Sequence, residues 1–262
     1  MEQIKGVLID LGGVVYQGGA AISGSIDAVR RLRLTGKPLR FLTNTTSKPL
    51  SGILTKLSSL GIEASREELF TPAIAARNYI IEHDLEPFFL ISPKLKEDFQ
   101  RLPMGSRPAV LIGDARDGFT YASLNEAFRR IDKGAAFIAL ASNRVFIAED
   151  GKPSLDVGAF IAALEYATGR SAIVLGKPSA AFFHLAVADM GLKPQAVAMI
   201  GDDAEFDVAA AIEAGLAGCL VRTGKWRPGA TDGLSIQPSA EFEDLAAAVE
   251  AILGRDDVGR GR

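Results

Sequence analysis

Short, mostly apolar runs that alternate with longer amphipathic stretches are the feature that most restricts how this chain can fold. A run that is apolar throughout fits a parallel strand covered on both faces. Eight runs are predicted as strands: Val7–Ile9, Arg40–Leu42, Phe88–Ile91, Val110–Ile112, Phe137–Leu140, Ile173–Leu175, Val197–Ile200 and Cys219–Val221. Because strands that alternate with helices pair in parallel, the sequence predicts an α/β fold with a largely parallel sheet.

Helical periodicity marks several of the segments between these strands. Glycine just past the last helical turn is a common stop signal, and three of the segments end in this way. The predicted helices are Ile26–Leu34, Leu50–Leu60 before Gly61, Phe182–Met190 before Gly191, and Ala204–Ala214 before Gly215. Their regular placement between strands supports the alternating α/β arrangement.

Polar side chains follow four of the predicted strands at their carboxyl ends. They are Asp10 after the first run, Thr43 and Asn44 after the second, Lys177 after Ile173–Leu175, and Asp202 and Asp203 after Val197–Ile200, with Asp207 shortly beyond. Ligands of open α/β sheets bind outside the carboxyl ends of the strands. We therefore expect these groups to lie close together and to form one site.

The chemistry of this set of side chains is that of phosphoryl transfer. Carboxylate oxygens suit Mg²⁺, and an aspartate beside the metal can attack phosphorus to form an aspartyl-phosphate. A lysine and backbone amides can stabilise the phosphoryl oxygens. Taken singly, each residue has an ordinary explanation, since a strand-end aspartate often caps a turn or helix and a lone lysine is often solvated. The order of all four groups favours a site.

Composition restricts the partners and the compartment. The net charge is −3 and no basic run stands out, so neither nucleic acid nor an anionic membrane is expected as a partner. The single cysteine, Cys219, excludes a disulfide framework and is expected to be a packed core thiol. No secretory signal and no apolar run of about 20 residues is present. A cytoplasmic protein is therefore expected.

Four segments carry a resemblance to a known family: VLIDLGGVVY, FLTNTTSK, VLGKPSAAFF and MIGDDAEFDVAAAIEAG. Together they resemble the haloacid dehalogenase superfamily, in the subfamily with a large cap between the second and third motifs. The resemblance implies a Rossmann-like, doubly wound parallel-sheet core formed by residues 1–76 and 177–262. It also implies an inserted α/β cap domain, residues 77–176, that covers the site and selects substrates. Pairing of caps into a homodimer is expected on the same ground.

The resemblance also implies roles for individual residues in a Mg²⁺-dependent phosphatase acting on a small phosphorylated substrate. Asp10 would be the nucleophile and a Mg²⁺ ligand, with the backbone carbonyl of Gly12 and the carboxylate of Asp202 as further ligands. Thr43 and Asn44 would hold phosphoryl oxygens. Lys177 would neutralise both the phosphate and Asp10, while Asp203 and Asp207 would support the metal site.

One position departs from the family pattern. Most members have a second aspartate two residues after the nucleophile, which protonates the leaving group and later activates water, and this chain has Gly12 there. Such acid–base assistance is typically worth about 10²–10⁴-fold in rate. Its loss should affect alkyl phosphates most, so we expect a preference for phosphoramidates, acyl phosphates, pyrophosphate and aryl phosphates.

Two other functions are open on the sequence alone. A catalytically weak or silent phosphate-binding protein would retain the pocket and the metal without turnover, and Gly12 favours it. A nucleotide-dependent enzyme on a doubly wound sheet has less support, because the glycines from Gly12 to Gly18 do not give the G-x-G-x-x-G spacing. The pair Gly176-Lys177 precedes proline, so it does not form a phosphate-binding P-loop either.

Overall fold

The computed structural model describes residues 4–147 and 152–259, with the side chains of Ile147 and of residues 255–259 left undescribed. The chain divides into two compact units. The first unit comprises Met1–Thr43, Leu54–Phe70 and Lys177–Arg262, and the second comprises Asn44–Ile53 and Thr71–Gly176. Each unit contains its own parallel sheet.

The secondary structure alternates between strands and helices. The strands are β1 (Gly6–Asp10), β2 (Tyr16–Gln17), β3 (Ala20–Ala21), β4 (Leu39–Leu42), β5 (Leu69–Phe70), β6 (Leu85–Leu90), β7 (Arg107–Ile112), β8 (Ala136–Ala139), β9 (Val145–Ile147), β10 (Pro153–Leu155), β11 (Ile173–Val174), β12 (Val197–Gly201), β13 (Ala217–Val221) and β14 (Ala240–Phe242). The α-helices are α1 (Ser25–Leu34), α2 (Leu50–Ser59), α3 (Pro72–Glu82), α4 (Tyr121–Asp132), α5 (Val157–Thr168), α6 (Ala180–Asp189), α7 (Ala210–Glu213) and α8 (Leu245–Gly259). Short 3₁₀ helices cover Pro93–Phe99, Arg116–Gly118 and Pro194–Ala196, and a π-helical segment, Ala204–Ala209, leads into α7.

The first unit has a six-stranded parallel sheet in the order β14-β13-β12-β1-β4-β5. Strand β1 lies in the middle and is buried at all five positions, because it pairs with β12 on one side and β4 on the other. The strand order therefore reverses at β1. In an open α/β sheet, the carboxyl end of the strand at such a switch point is where a ligand crevice forms.

The second unit has a four-stranded parallel sheet in the order β11-β8-β7-β6. Buried side chains of β7 and β8 pack against α4 and α5 in one hydrophobic cluster. A separate antiparallel pair, β9 and β10, precedes α5. The unit is thus an α/β structure with a core of its own.

The predicted fold class is confirmed, since all eight predicted runs are strands and both main sheets are parallel. One expectation is wrong, namely that the four strands that precede the polar side chains all belong to one sheet. Strand β11 pairs with β8 in the second sheet, so Lys177 does not follow a strand of the sheet that contains β1. A two-residue strand carries too little pattern to indicate which sheet it joins.

The division into units differs from the predicted domain bounds at residues 44–53 and 71–76. Helix α3 packs on β6, and the Asp98 carboxylate accepts hydrogen bonds from the Leu50 amide that begins α2. These contacts place the helix starts with the second unit. Whether this unit acts as a cap stays a prediction. Among the helices of the described residues, none has both the length and the apolar character needed to cross a membrane.

Candidate active site

Asp10 is the last residue of β1, and the chain turns sharply after it. The amides of Val15 and Tyr16 both donate to the Leu11 carbonyl, and the Gly13 amide donates to the Tyr16 carbonyl at 2.7 Å. This turn leads into the small antiparallel hairpin of β2 and β3. The Asp10 side chain is therefore fixed at the end of the central strand and is buried, at 7% exposure.

Lys177 connects two carboxylates of the site. Its ammonium donates to Oδ1 of Asp10 at 2.5 Å and to Oδ1 of Asp207 at 2.6 Å. All three side chains are buried. Lys177 lies in the short segment that precedes α6. It is the first residue of the first unit after the second unit ends.

The aspartates that follow β12 are held by the start of the π-helical segment. Asp203 caps this segment, because its Oδ1 accepts hydrogen bonds from the amides of Glu205 and Phe206. Asp207 lies one turn further on, and its Oδ2 accepts from the Asp203 amide at 3.3 Å. Asp203 is thus the helix cap, whereas Asp207 reaches into the cluster with Lys177.

Burial dominates the ionisation of the cluster. It raises the pKa of Asp10, although Lys177 opposes the effect, and it raises the pKa of Asp202 and of Asp207 to about 6. For Lys177, burial works against the charged form, but the carboxylates of Asp10 and Asp207 outweigh it and raise the pKa above the usual lysine value. The lysine is therefore charged at neutral pH and leaves an excess of carboxylate around it.

This excess of carboxylate fits a divalent cation. One carboxylate oxygen from each of Asp10, Asp202 and Asp207 lies within 4.8 Å of the others. Oδ1 of Asp202 is buried without a hydrogen-bond partner among the described residues, which is costly unless something else binds it. Both oxygens of Asp207 already accept hydrogen bonds, so Asp10 and Asp202 are the better placed ligands. Oxygen donors of this kind suit a hard cation.

The remaining predicted residues, Thr43 and Asn44, are consecutive in the chain and follow β4. Thr43 directly follows β4, the strand that pairs with β1, and is buried at 7% exposure. Asn44 is the first residue of the second unit. The structure therefore groups Asp10, Lys177 and the aspartates after β12 within the first unit. The phosphate-binding roles of Thr43 and Asn44 stay predictions.

Gly12 is exposed, and a Cβ atom built there would meet no other atom within 4 Å. Its backbone does not require glycine, because its φ is not positive. The missing acid side chain therefore reflects neither steric crowding nor backbone strain. The prediction that its carbonyl binds metal is untested.

The segment after β13 also contributes to the site, and sequence reasoning assigned it no role. The Lys225 amide donates to Oδ2 of Asp202 at 2.7 Å, and the Lys225 ammonium pairs with Oδ2 of Asp203 at 3.1 Å. The signal was available, since Thr223, Gly224 and Lys225 follow a predicted strand as the other site residues do.

Both histidines of the chain make structural contacts outside the carboxylate cluster. His83 stacks on Tyr79 with 3.9 Å between ring centroids, and His184 bonds the Ala214 carbonyl at 2.8 Å. Cys219 is buried, as expected.

Comparisons with known proteins identify the family. Residues 7–103 match the model described as haloacid dehalogenase-like hydrolase, and residues 174–248 match a second model, HAD-hydrolase-like. Phospholysine phosphohistidine inorganic pyrophosphate phosphatase of Danio rerio is 40% identical over 97% of this chain and 96% of its own length. The chain belongs to the haloacid dehalogenase-like hydrolases. Haloacid dehalogenase-like hydrolase domain-containing protein 2 of Bos taurus is 39% identical, over 95% of this hydrolase and 96% of its own length.

Solved structures agree with this assignment. A 4-nitrophenylphosphatase from Thermotoga maritima superposes with a TM-score of 0.86 at 25% identity, covering 95% of this hydrolase and 98% of that chain. A p-nitrophenyl phosphatase from Archaeoglobus fulgidus gives a TM-score of 0.86 at 27% identity, covering 95% and 99%. The predicted family and the enzyme class, a hydrolase whose relatives are named as phosphatases, are confirmed.

Proposed function

We propose that this hydrolase is a Mg²⁺-dependent phosphatase that forms an aspartyl-phosphate on Asp10 and acts on phosphates with good leaving groups. One observation carries the proposal. A buried lysine bridges Asp10 and Asp207 beside an Asp202 oxygen that has no partner among the described residues. This arrangement would supply a nucleophile, a fixed positive charge and a metal ligand in one place, which supports the proposal.

In the proposed reaction, a carboxylate oxygen of Asp10 attacks phosphorus while the bond from phosphorus to the leaving group breaks. The leaving group departs with the bonding electrons and takes its proton from solvent, because Gly12 has no acid to donate. Water then attacks phosphorus of the aspartyl-phosphate, which releases inorganic phosphate and regenerates the Asp10 carboxylate. In both steps the Lys177 ammonium offsets negative charge on the phosphoryl oxygens and on Asp10.

Asp10 and Asp202 would hold Mg²⁺, together with the backbone carbonyl of Gly12. A bound Mg²⁺ supplies positive charge that is shared by the nucleophile and the phosphoryl group. Asp203 and Asp207 would support these ligands, Asp207 through its bond to Lys177. Thr43 and Asn44 would donate hydrogen bonds to phosphoryl oxygens.

The substrate class follows from the missing acid. Without a proton donor, a leaving group that is stable as an anion, or is readily protonated by water, departs fastest. We therefore propose phosphoramidates, acyl phosphates, pyrophosphate and aryl phosphates as substrates, rather than alkyl phosphates such as sugar phosphates. The relatives named for phospholysine, phosphohistidine, pyrophosphate and nitrophenyl phosphate support this choice.

A substrate panel on the purified protein tests the proposal, with Asp10→Asn as the control for contaminating activity. Pyrophosphate and aryl phosphate should be hydrolysed in the presence of Mg²⁺, and both rates should disappear in the Asp10→Asn variant. A clear preference for sugar phosphates over pyrophosphate and aryl phosphate would overturn the proposed substrate class.

The second step should limit turnover, since the residue that usually activates water is also absent. Aryl phosphate should then give a burst of phenolate equal to the enzyme concentration, followed by a slower steady rate. A progress curve that is linear from the first turnover would contradict this order of rates.

A catalytically silent phosphate-binding protein is the second candidate, and Gly12 is the observation that favours it. Intact Asp10, Lys177 and Asp202 weigh against it, because binding alone does not need a nucleophile. Aryl-phosphate hydrolysis with and without Mg²⁺ separates the two functions. The cap role of residues 77–176, a homodimer and a cytoplasmic location remain further predictions.

A further inference from the structure

We infer that the segment Thr223–Lys225, here called the clamp, orients the Asp202 carboxylate so that only its Oδ1 is free to bind the metal ion. This inference rests on the proposed function, because it concerns the same metal site. It assigns a positioning role to residues that carry no metal-binding atom themselves. Three independent features of the first unit support it.

The first feature is a hydrogen bond from the main chain. The Lys225 amide donates to Oδ2 of Asp202 at 2.7 Å, whereas Oδ1 of the same carboxylate is buried with no partner among the described residues. The two oxygens are therefore chemically different. Partners that bind one oxygen of a ligating carboxylate typically set its orientation and its basicity.

The second feature is the close approach of two glycines to the carboxylate. Gly13 has a φ of +89° and Gly224 a φ of +57°, and a Cβ atom on either one would overlap Oδ2 of Asp202. Both backbones therefore lie directly against this oxygen, and they leave no space for the carboxylate to rotate. Glycine is required at both positions for contact as well as for conformation.

The third feature connects the clamp to the loop that follows the nucleophile. The Thr223 hydroxyl donates to the Gly13 carbonyl at 2.5 Å, and the Lys225 ammonium pairs with Asp203 at 3.1 Å. The clamp thus bonds the chain after β1 on one side and the chain after β12 on the other. Asp10 directly precedes the first of these loops and Asp202 begins the second, so the clamp also restrains the distance between the two ligands.

Mg²⁺ affinity in the absence of substrate tests the inference. Gly224→Ala adds a methyl group that overlaps Oδ2 of Asp202, and Gly233→Ala is the matched control. Gly233 lies in the same part of the chain with a φ of +79°, and its Cβ would meet nothing within 4 Å. Both variants place alanine at positive φ, but only one displaces the carboxylate. Isothermal titration calorimetry on the full chain measures the dissociation constant.

Gly224→Ala should weaken Mg²⁺ binding by about 10–100-fold, in line with the loss of other groups that orient metal ligands. Gly233→Ala should bind Mg²⁺ as the wild type does. If Gly224→Ala fails to fold, Thr223→Val serves instead, since it removes the bond to Gly13 while preserving shape, and it should weaken binding to a smaller extent.

The outcomes separate the inference from the proposed function. If the wild type binds Mg²⁺, Asp202→Asn does not, and Gly224→Ala binds it more weakly, the result supports both the proposed metal site and the clamp. Equal affinity in wild type, Gly224→Ala and Thr223→Val would overturn the clamp while leaving the phosphatase intact. A wild-type protein that binds no Mg²⁺ through Asp202 would overturn the proposed metal site and the clamp together.

Discussion

At the scale of residues, the site is a buried group of charges that do not balance. Asp10, Asp202 and Asp207 lie together, a single ammonium, that of Lys177, bonds Asp10 and Asp207, and all four residues are less than 8% exposed. Isolated buried charges are costly, so each member depends on the others. The loss of stability caused by a substitution here should therefore depend on which charges remain. It should exceed the loss caused by breaking an exposed ion pair.

Replacing Lys177 should show this dependence most directly. Lys177→Met leaves Asp10 and Asp207 without their common partner and should cost about 3–5 kcal/mol of unfolding free energy without divalent cations at pH 7.5. Lys225→Met is the control, because its side chain is 70% exposed and its pair with Asp203 should contribute no more than about 1 kcal/mol. Urea titrations measure both values. Equal losses in the two variants would contradict the importance of burial.

The raised pKa of Asp202 predicts a pH dependence in the metal-free protein. Burial raises this pKa from 3.8 to about 6, so the folded state binds the proton more tightly than the unfolded state. The stability from this group is complete below about pH 4 and is lost as the pH rises through 6. The free energy of unfolding of Asp202→Asn, taken relative to that of wild type, should therefore rise by on the order of 2–3 kcal/mol between pH 4 and pH 6.5.

Urea unfolding in the presence of a chelator at several pH values measures this difference. Excess Mg²⁺ should then restore the stability of the wild type at pH 7 and leave Asp202→Asn unchanged, because only the ionised carboxylate binds the cation. A difference between the two proteins that does not vary with pH would show that Asp202 is not held in a desolvated environment.

Gly12 offers a direct test of the missing acid. Because a Cβ there meets no atom within 4 Å, Gly12→Asp should fold normally and place a carboxyl group beside the site. Turnover of an alkyl phosphate should rise by about tenfold or more, within the range for general acid–base catalysis. Gly12→Asn has the same shape without the acid and should give no increase. Steady-state rates for both variants decide the point.

At the scale of elements, the π-helical segment Ala204–Ala209 positions two aspartates with different tasks. Asp203 caps its first turn, and Asp207 projects from the next turn to Lys177. π-Helical turns are rare and often lie at functional sites. The same short segment is thus capped by Asp203 and carries Asp207. Loss of the cap should therefore disturb the position of Asp207 in the charge cluster as well as the stability of the helix.

Asp203→Ala should lower the unfolding free energy by about 1 kcal/mol through the lost cap. It should also reduce phosphatase activity by about tenfold or more, because the Lys225 ammonium loses its partner and the turn that carries Asp207 loses its cap, although the Asp203 amide that bonds Asp207 is retained. Asp244→Ala is the matched control, because Asp244 accepts a hydrogen bond from Ala247 at the start of α8. The control should lose similar stability and retain activity. Denaturation curves and assays compare the two.

At the scale of the whole molecule, most of the second unit is one continuous segment inserted in the sequence of the first unit. It has a sheet and a hydrophobic core of its own. Residues 71–176 are continuous and contain all four strands of the second sheet together with α3, α4 and α5. Their buried cluster includes Val110, Ile112 and Phe137. A segment with a separate core of this kind is expected to fold alone.

A fragment of residues 71–176 should therefore give a native-like circular dichroism spectrum and a single cooperative urea transition. Val110→Asp within the fragment is the control, since Val110 is fully buried and a charge there should abolish the transition. A fragment that lacks cooperative unfolding, or one that is indifferent to Val110→Asp, would show that the second unit depends on the rest of the chain.

Much of the fold and part of the site could be predicted from local sequence. Strands β1 and β12 are short apolar runs that end in Asp10 and Asp202, and both features are visible within about ten residues. Helix α3 was missed because its apolar residues lie around the whole helix, so no single face stands out. The clamp was missed because its bond to Asp202 is made by the Lys225 amide, which residue types do not reveal, so that only the place of the segment after a predicted strand signals it.

The sequence by itself determined the α/β class, the strand ends that carry the carboxylates, and the family, because these follow from patterns between neighbouring residues. The tertiary structure alone decided that Lys177 reaches Asp10 across 167 positions of the chain, although the strand before it, β11, pairs in the second sheet. It also decided that Oδ2 of Asp202 accepts a hydrogen bond while Oδ1 has no partner among the residues that the structure describes. Such contacts depend on long-range packing, since the energy of a buried charge is set by everything around it.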